Sequence, residues 1–225
     1  MNLPVRISRR SPARSSGLLL ALAAVIALVV TACGGGSKSS SSSMRGDVLD
    51  PPVALPASAG PFTTTAGGST TLGQLQNGKL LLVFFGYTHC PDVCPTTMAD
   101  VGQALRESDP NVRAATEVAF VTSDPVRDTP NVMKTWLSNF DTGLPNKFVG
   151  LTASTTLIDS TAKKVGVPLE PPVKQKNGTW TVDHGAQLLA FQNGQAHVLW
   201  LSGTTVADYK HDLTQLVEQL PAKGA

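Results

Sequence analysis

From Lys79 onward, short and almost wholly apolar runs alternate with longer segments in which apolar residues recur every three or four positions. "GKLLLVFFGY" (78–87) is a nearly unbroken run of Leu, Phe and Val, the pattern of a central strand covered on both faces, and it ends at Gly86. "CPTTMADVGQALRESDP" then puts Met98, Val101 and Leu105 at i, i+3 and i+7, one face of a helix that Pro110 and Asn111 close off. "TEVAFVTSDP" is a second buried strand. "TPNVMKTWLSNF" predicts a helix with Thr129 as N-cap, Pro130 at its first position, and Val132, Trp136 and Phe140 turned inward. A third cycle follows in "KFVGLT", a short strand, and "STTLIDSTAKKVGV", a helix with Leu157, Ile158, Ala162 and Val165 on one face.

"PLEPPVKQKNGTWTVDHG" breaks the alternation with prolines and an Asn-Gly turn, the signature of a protruding loop or short hairpin. "AQLLAFQNGQAHVLWLSG" places two apolar runs around Asn193-Gly194, a hairpin signal. A last helix, Val206 to Leu220, lines up Val206, Tyr209, Leu213, Leu216 and Leu220. Upstream, "PFTTTAGGSTTLGQL" adds a small hairpin or cap. No internal repeat is present. The succession implies an α/β fold, a central mixed β-sheet flanked by helices, and 225 residues suffice for one full core plus tails.

The amino-terminal segment has a different pattern. Arg6, Arg9, Arg10 and Arg14 precede an uncharged apolar stretch, Gly17 to Ala32, which is the arrangement of an export signal. The stretch is shorter than the roughly 20 residues that span a bilayer comfortably. It ends at "VTAC", which resembles a bacterial lipobox; that resemblance implies cleavage before Cys33 and its lipidation, the alternative being an uncleaved membrane anchor. "GGGSKSSSSSMRGD" cannot build a core and reads as a tether. The expected organisation is therefore a signal peptide over 1–32, a lipidated Gly/Ser-rich tether over 33–52 and a folded domain over 53–225, held on the extracytoplasmic side of the cell membrane. Charge supports the division. Of 18 Lys and Arg, four lie in the leader, leaving 14 against 16 Asp and Glu, so the basic balance of the whole chain is no argument for nucleic acid.

With Cys33 assigned to the lipid, the domain keeps Cys90 and Cys94, at a strand-to-helix junction. They close too small a loop to restrict the unfolded chain much as a structural bridge. A cysteine at a helix N-terminus meets unpaired N–H groups and the positive end of the helix dipole, both of which favour thiolate. The three intervening residues, Pro91, Asp92 and Val93, allow either a redox disulfide or two thiolates on one metal, the sulfurs one helical turn apart if the helix has begun by then. Two thiolates alone do not complete a tetrahedral zinc site, whereas soft sulfur with one imidazole suits copper. The third ligand would come from His89, His184, His197 or His211. His211 lies on the last helix and reads as solvent-facing, His197 alternates with Val198 and Trp200, His89 abuts Cys90, and His184 sits in the irregular segment before a core strand. Composition does not choose among them.

Three motifs in order, "FFGYTHCPDVCPTTM", "VTSDPVRDTP" and "VDHGAQLLAF", are similar to the SCO/SenC family of thioredoxin-fold copper proteins that support assembly of cytochrome c oxidase. The resemblance covers Val53 to Leu220. It implies a thioredoxin-like fold and a copper site, Cu(I) or Cu(II), made by Cys90, Cys94 and His184. This chain departs from the family pattern at Gly185, where serine is common, and at Leu188 and Leu189, where a tyrosine is frequent. Asp183 beside His184, and Asp124 in "SDP", are candidates to orient the ligands from behind, turn or capping roles being the alternative. Arg127 and Asp128 read as a loop ion pair or cap of little weight. Met98, at helical spacing with Val101 and Leu105, reads as core.

Two functions follow from the resemblance: a copper chaperone that hands its metal to the dinuclear copper site of apo cytochrome c oxidase subunit II, and a thiol-disulfide oxidoreductase that keeps the target's cysteines reduced. Partners would include other copper chaperones or thiol reductants, and the protein is expected to be monomeric. A thiol peroxidase or redox sensor, with Cys94 resolving a Cys90 sulfenic acid, is a third reading; the arginine, glutamine or tryptophan such a site uses is not evident near "THCPDVCP".

Overall fold

The computed structural model describes residues 43–170, 173–174, 180–181 and 185–220, with the backbone alone at 173–174 and 180–181. In chain order the elements are β1 (Asp47–Ala54), β2 (Phe62–Thr64), β3 (Ser69–Thr70), α1 (Leu72–Gln76), β4 (Leu80–Gly86), α2 (Val93–Glu107), α3 (Pro110–Ala115), β5 (Thr116–Thr122), α4 (Pro130–Leu137), β6 (Val149–Thr152), α5 (Thr155–Lys164), β7 (Val173–Lys174), β8 (Trp180–Thr181), β9 (Leu188–Gln192), β10 (Gln195–Trp200) and α6 (Val206–Glu218). Eight described strands form one sheet in the order β1-β10-β9-β4-β5-β6-β2-β3. β4, β5 and β6 run parallel, as helical crossovers require, while β9 lies antiparallel on the other side of β4. The result is the mixed, helix-flanked sheet of a thioredoxin-like fold.

β4 is buried at every residue because helices cover both faces of the sheet. Leu80, Leu82 and Phe84 pack with Met98, Val101 and Leu105 of α2 and with Tyr209, Leu213 and Leu216 of α6. Leu81, Val83 and Phe85 point the other way, onto Leu72 of α1 and onto Ile158 and Ala162 of α5. Burial of each such Leu or Phe stabilises the fold by about 1.5–3 kcal/mol. Side-chain oxygens of Thr129, Ser154 and Thr205 cap α4, α5 and α6 by accepting from backbone N–H groups. Asn193 and Gly194 take positive φ, 50° and 81°, as the two-residue β9–β10 turn requires.

Four details differ from the sequence expectation. Pro110 opens the short α3 as well as ending the preceding helix. α4 buries Met133 and Leu137, whereas Val132 is exposed and Trp136 and Phe140 are half-buried, their rings 4.7 Å apart. The helix stops at Leu137, so Phe140 lies beyond its periodicity and the buried stripe falls one residue later, a rotation of about 100°. β1 pairs with β10 from Asp47, upstream of residue 53. Finally, His211 is half-buried: its Nδ1 lies 2.8 Å from Oδ1 of the fully buried Asp212. That carboxylate also accepts from the backbone N–H groups of Arg45 and Gly46 and from Trp200 Nε1, at 2.8 to 3.0 Å, and so fastens the start of the described chain to α6.

Candidate metal centre

The parallel pair β4–β5 ends with Gly86 beside Thr122, and the loops that leave these two residues lie side by side. Ser123 N–H donates to the Gly86 carbonyl at 2.7 Å, tying them together. The first loop, Tyr87 to Asp92, carries Cys90 and delivers the chain into α2, whose second residue is Cys94. Thus only Cys94 is helical. The loop still brings the cysteines together, because Cys90 N–H donates to the Tyr87 carbonyl at 3.1 Å and folds the loop into a tight turn.

Cys90 is half-buried and Cys94 fully buried, both as thiols. The Cys94 N–H donates to Cys90 Sγ at 3.4 Å. Asp92, at the N-cap, makes no side-chain cap bond, so the Cys90 sulfur accepts from one of the N–H groups that a helix start leaves without an intrahelical partner. This contact strengthens with negative charge on the sulfur. A hydrogen bond to Cys90, burial and the neighbouring Cys90 charge push the Cys94 thiol far above its ordinary value, against a smaller opposing bond from the Tyr87 backbone. The pair is therefore asymmetric, with an accessible sulfur at the helix mouth and a protonated one behind it.

The second loop holds the first in place. Asp128, fully buried, accepts from Thr88 N–H at 3.0 Å and from the Thr88 hydroxyl at 2.6 Å, and on its other side from the Thr122 hydroxyl at 2.7 Å. Thr122 Oγ1 in turn accepts from Asp124 N–H at 2.9 Å. Asp128 is thus a bracket between the two loops and makes no ion pair with Arg127, contrary to expectation. Arg127 pairs instead with the buried Asp124, and its guanidinium lies 6.0 Å from the centroid of the Tyr87 ring. The sequence holds no signal connecting Asp128 with Thr88, forty positions away.

Among the described residues no three His, Cys, Asp or Glu side chains are grouped to hold a metal ion. Cys90 and Cys94 come together; His184, Asp183 and Cys33 lie outside the described residues. The chain next to His184 is fixed at Gly185, whose N–H donates to the Pro168 carbonyl at 2.8 Å. A Cβ at Gly185 would fall 2.5 Å from Gln187 Oε1 and 2.9 Å from Pro168 Cδ, so the serine common in the family would require Gln187 to move. Leu188 and Leu189 are buried on opposite faces of β9. His197 is exposed on β10, and His211 is engaged with Asp212.

Residues 55–218 match the SCO1/SenC family profile. The chain belongs to that family. It is 32% identical to the human mitochondrial SCO1 homologue over 135 residues, 59% of this chain and 43% of that protein. The chain spans about half the length, or less, of the curated relatives it matches. Among solved structures, Bradyrhizobium japonicum ScoI with copper bound is 29% identical and superposes with a TM-score of 0.58, covering 77% of this chain and 99% of that one. Apo Sco1 from Thermus thermophilus is 28% identical with a TM-score of 0.62, covering 77% and 97%.

The described donors suit a soft metal in this family setting. Two sulfurs share one helix mouth, one of them already accepting an N–H donor, and the other buried where water competes poorly. Metal uptake at such a pair must remove the Cys94 proton. The same arrangement also suits dithiol chemistry, with Cys90 exposed to a partner and Cys94 behind it.

Proposed function

We propose that this protein is an extracytoplasmic copper chaperone that holds copper at Cys90, Cys94 and His184 and passes it to the copper site of cytochrome c oxidase subunit II during assembly. The observation that carries this reading is the contact between Cys90 and Cys94 at the start of α2, in a chain of the SCO1/SenC family. The copper-bound relative from Bradyrhizobium japonicum supports copper as the cargo. His184 supplies the imidazole, with Asp183 behind it, and Asp124 acts at one remove by holding Arg127 against Tyr87. A lipid on Cys33 keeps the domain at the membrane, near a membrane-bound acceptor; among the described residues no helix is long and apolar enough to cross a bilayer.

The test is anaerobic copper titration of the reduced domain, comparing wild type with Cys94→Ala and His184→Ala by stoichiometry and sulfur-to-copper absorption. One copper per chain that needs Cys94 and is held at least tenfold more weakly without His184 is the expected result. Uptake indifferent to both substitutions overturns the reading.

The asymmetry of the pair favours a second activity at the same site. With Cys90 accessible and Cys94 a buried thiol, Cys90 attacks a target disulfide and Cys94 then resolves the mixed disulfide, leaving the target reduced and Cys90–Cys94 oxidised. Equilibration of the pair with a copper-site peptide disulfide tests this, and failure to exchange over hours removes it.

A further inference from the structure

His89 stands beside Cys90, yet the nitrogen nearer its backbone faces the loop bracket. Nδ1 lies 3.1 Å from Thr88 Oγ1 and 3.8 Å from Asp128 Oδ1, and the side chain is 54% exposed. A hydroxyl has one proton to give. Thr88 gives it to Asp128, in the shorter contact of 2.6 Å. Thr88 Oγ1 therefore offers His89 only a lone pair, and Nδ1 must carry the ring proton. In the neutral imidazole the unshared pair is then on Nε2, at the side of the ring opposite Thr88 and Asp128. Metal-bound histidines are held by this kind of arrangement, in which the non-ligating nitrogen donates to a carboxylate or to a group fixed by one. Here that support is built around a histidine that does not join the two sulfurs in a group of three ligands.

We propose that His89 is a capture ligand: an exposed imidazole, prepared through Thr88 and Asp128, that binds the incoming or departing metal at Nε2 before or after it is held by Cys90 and Cys94. Resting on the copper-chaperone reading, this assigns the rim of the site a role in the rate of transfer and none in the final ligand set. Adjacent residues have Cα atoms about 3.8 Å apart, so one loop carries both the imidazole and the accessible sulfur. Ligand exchange through a bound intermediate also avoids releasing copper to solvent between donor and acceptor.

Two measurements on the reduced domain at about pH 7.5 test it. In the metal-free protein, long-range proton–nitrogen-15 correlation should show His89 protonated at Nδ1, and Thr88→Val should abolish that preference. In stopped-flow loading with the copper(I) acetonitrile complex, His89→Ala should reach the wild-type sulfur-to-copper absorption at least tenfold more slowly, and Thr88→Val should slow it in part. Protonation at Nε2 in the wild type, or loading by His89→Ala at the wild-type rate, overturns the proposal while leaving the chaperone reading intact. A lower final absorption in His89→Ala also overturns it, by making His89 a resident ligand. A wild type that takes up no copper overturns the functional reading and this inference with it.

Discussion

The Cys94 sulfur occupies the space that a side chain at Gly86 would need. A Cβ on Gly86 would lie 2.8 Å from Cys94 Sγ and 2.7 Å from Phe84 Cε1, inside ordinary contact distance. Gly86 cannot retreat, because it is the last residue of a strand paired on one side with Thr122 and bonded through its carbonyl to Ser123. Gly86→Ala should therefore displace the sulfur or the Phe84 ring, destabilising the domain by about 1–3 kcal/mol as overpacking does. Urea unfolding measures the loss, and the copper-sulfur absorption of the variant should differ from wild type. A Gly86→Ala domain equal to wild type in both respects would refute the packing argument.

Thiol chemistry should fall on Cys90. Cys94 is buried and its thiol pushed up, first by the hydrogen bond to Cys90 and then by burial, so it stays protonated through neutral pH. A brief iodoacetamide pulse on the reduced protein, followed by peptide mapping, should label Cys90 at least tenfold more than Cys94, since Cys94 is both protonated and out of reach. Cys90→Ala removes both contributions of Cys90, its hydrogen bond and its charge, and leaves burial and the Asp128 charge. The alkylation profile of Cys94 in that variant should move to lower pH. A profile unmoved by Cys90→Ala would show that Cys90 does not set the Cys94 thiol.

Local signals in the chain made most of this architecture legible. The unbroken run Leu80–Phe85, the Thr129-Pro130 start of α4 and the Asn193-Gly194 turn each act within a few residues, and each is found where its pattern places it. The cysteine pair was legible for the same reason. Features set by contacts between distant segments were not. "DVLDPPVA" lacks a clean alternation and contains two prolines, so β1 becomes a strand only because β10 offers it an edge. The stripe of α4 was misplaced by one residue because the helix ends before Phe140. The partner of Asp128 lies in another loop, which no spacing rule reaches, and the partner of His211 is its neighbour Asp212, visible in sequence but without a sign that it is buried.

Asp212 makes stability depend on acid. Burial acts to raise its pKa, but hydrogen bonds from His211, from the backbone of Arg45 and Gly46 and from Trp200 outweigh burial and hold it below the ordinary carboxylate range. A carboxyl depressed in the folded state contributes stability in full above its unfolded pKa of about 3.9, and that contribution is lost as pH falls through the folded value. Asp212→Asn keeps the shape but sets an amide NH2 against N–H donors, which should cost about 1–3 kcal/mol near pH 7. The gap between wild type and variant should narrow on going to about pH 3, because the unfolded chain's carboxyl takes up its proton before the lower-lying folded one does. Urea melts at the two pH values check it; a gap that is constant or widens in acid contradicts the assignment. Arg45 and Asp208, which face this cluster, are present in both proteins, but His211 loses its carboxylate partner in the variant, so the same pair of melts is repeated in a His211→Gln background to isolate Asp212.

The bracket at Asp128 should matter more for the thiols than its distance from them suggests. Three donors converge on its two oxygens, Thr88 N–H and Thr122 hydroxyl on Oδ2 and Thr88 hydroxyl on Oδ1. Asparagine has one acceptor oxygen, so Asp128→Asn must leave at least one donor facing an NH2 group in a fully buried site, at about 1–3 kcal/mol. Thr88 is the residue that loosens first, because both of its bonds to the second loop end on this carboxylate. Tyr87 goes with it. The Tyr87 carbonyl accepts from Cys90 N–H, and its backbone also bonds the Cys94 sulfur, so one loosened segment disturbs both cysteines. The expected outcome is a folded Asp128→Asn domain whose dithiol–disulfide equilibrium differs from wild type by fivefold or more, about 1 kcal/mol. Thr122→Ser, which keeps the hydroxyl, should behave as wild type, and Thr122→Val should fall between. Equal equilibria in wild type and Asp128→Asn, with stability reduced, would confine Asp128 to holding the fold.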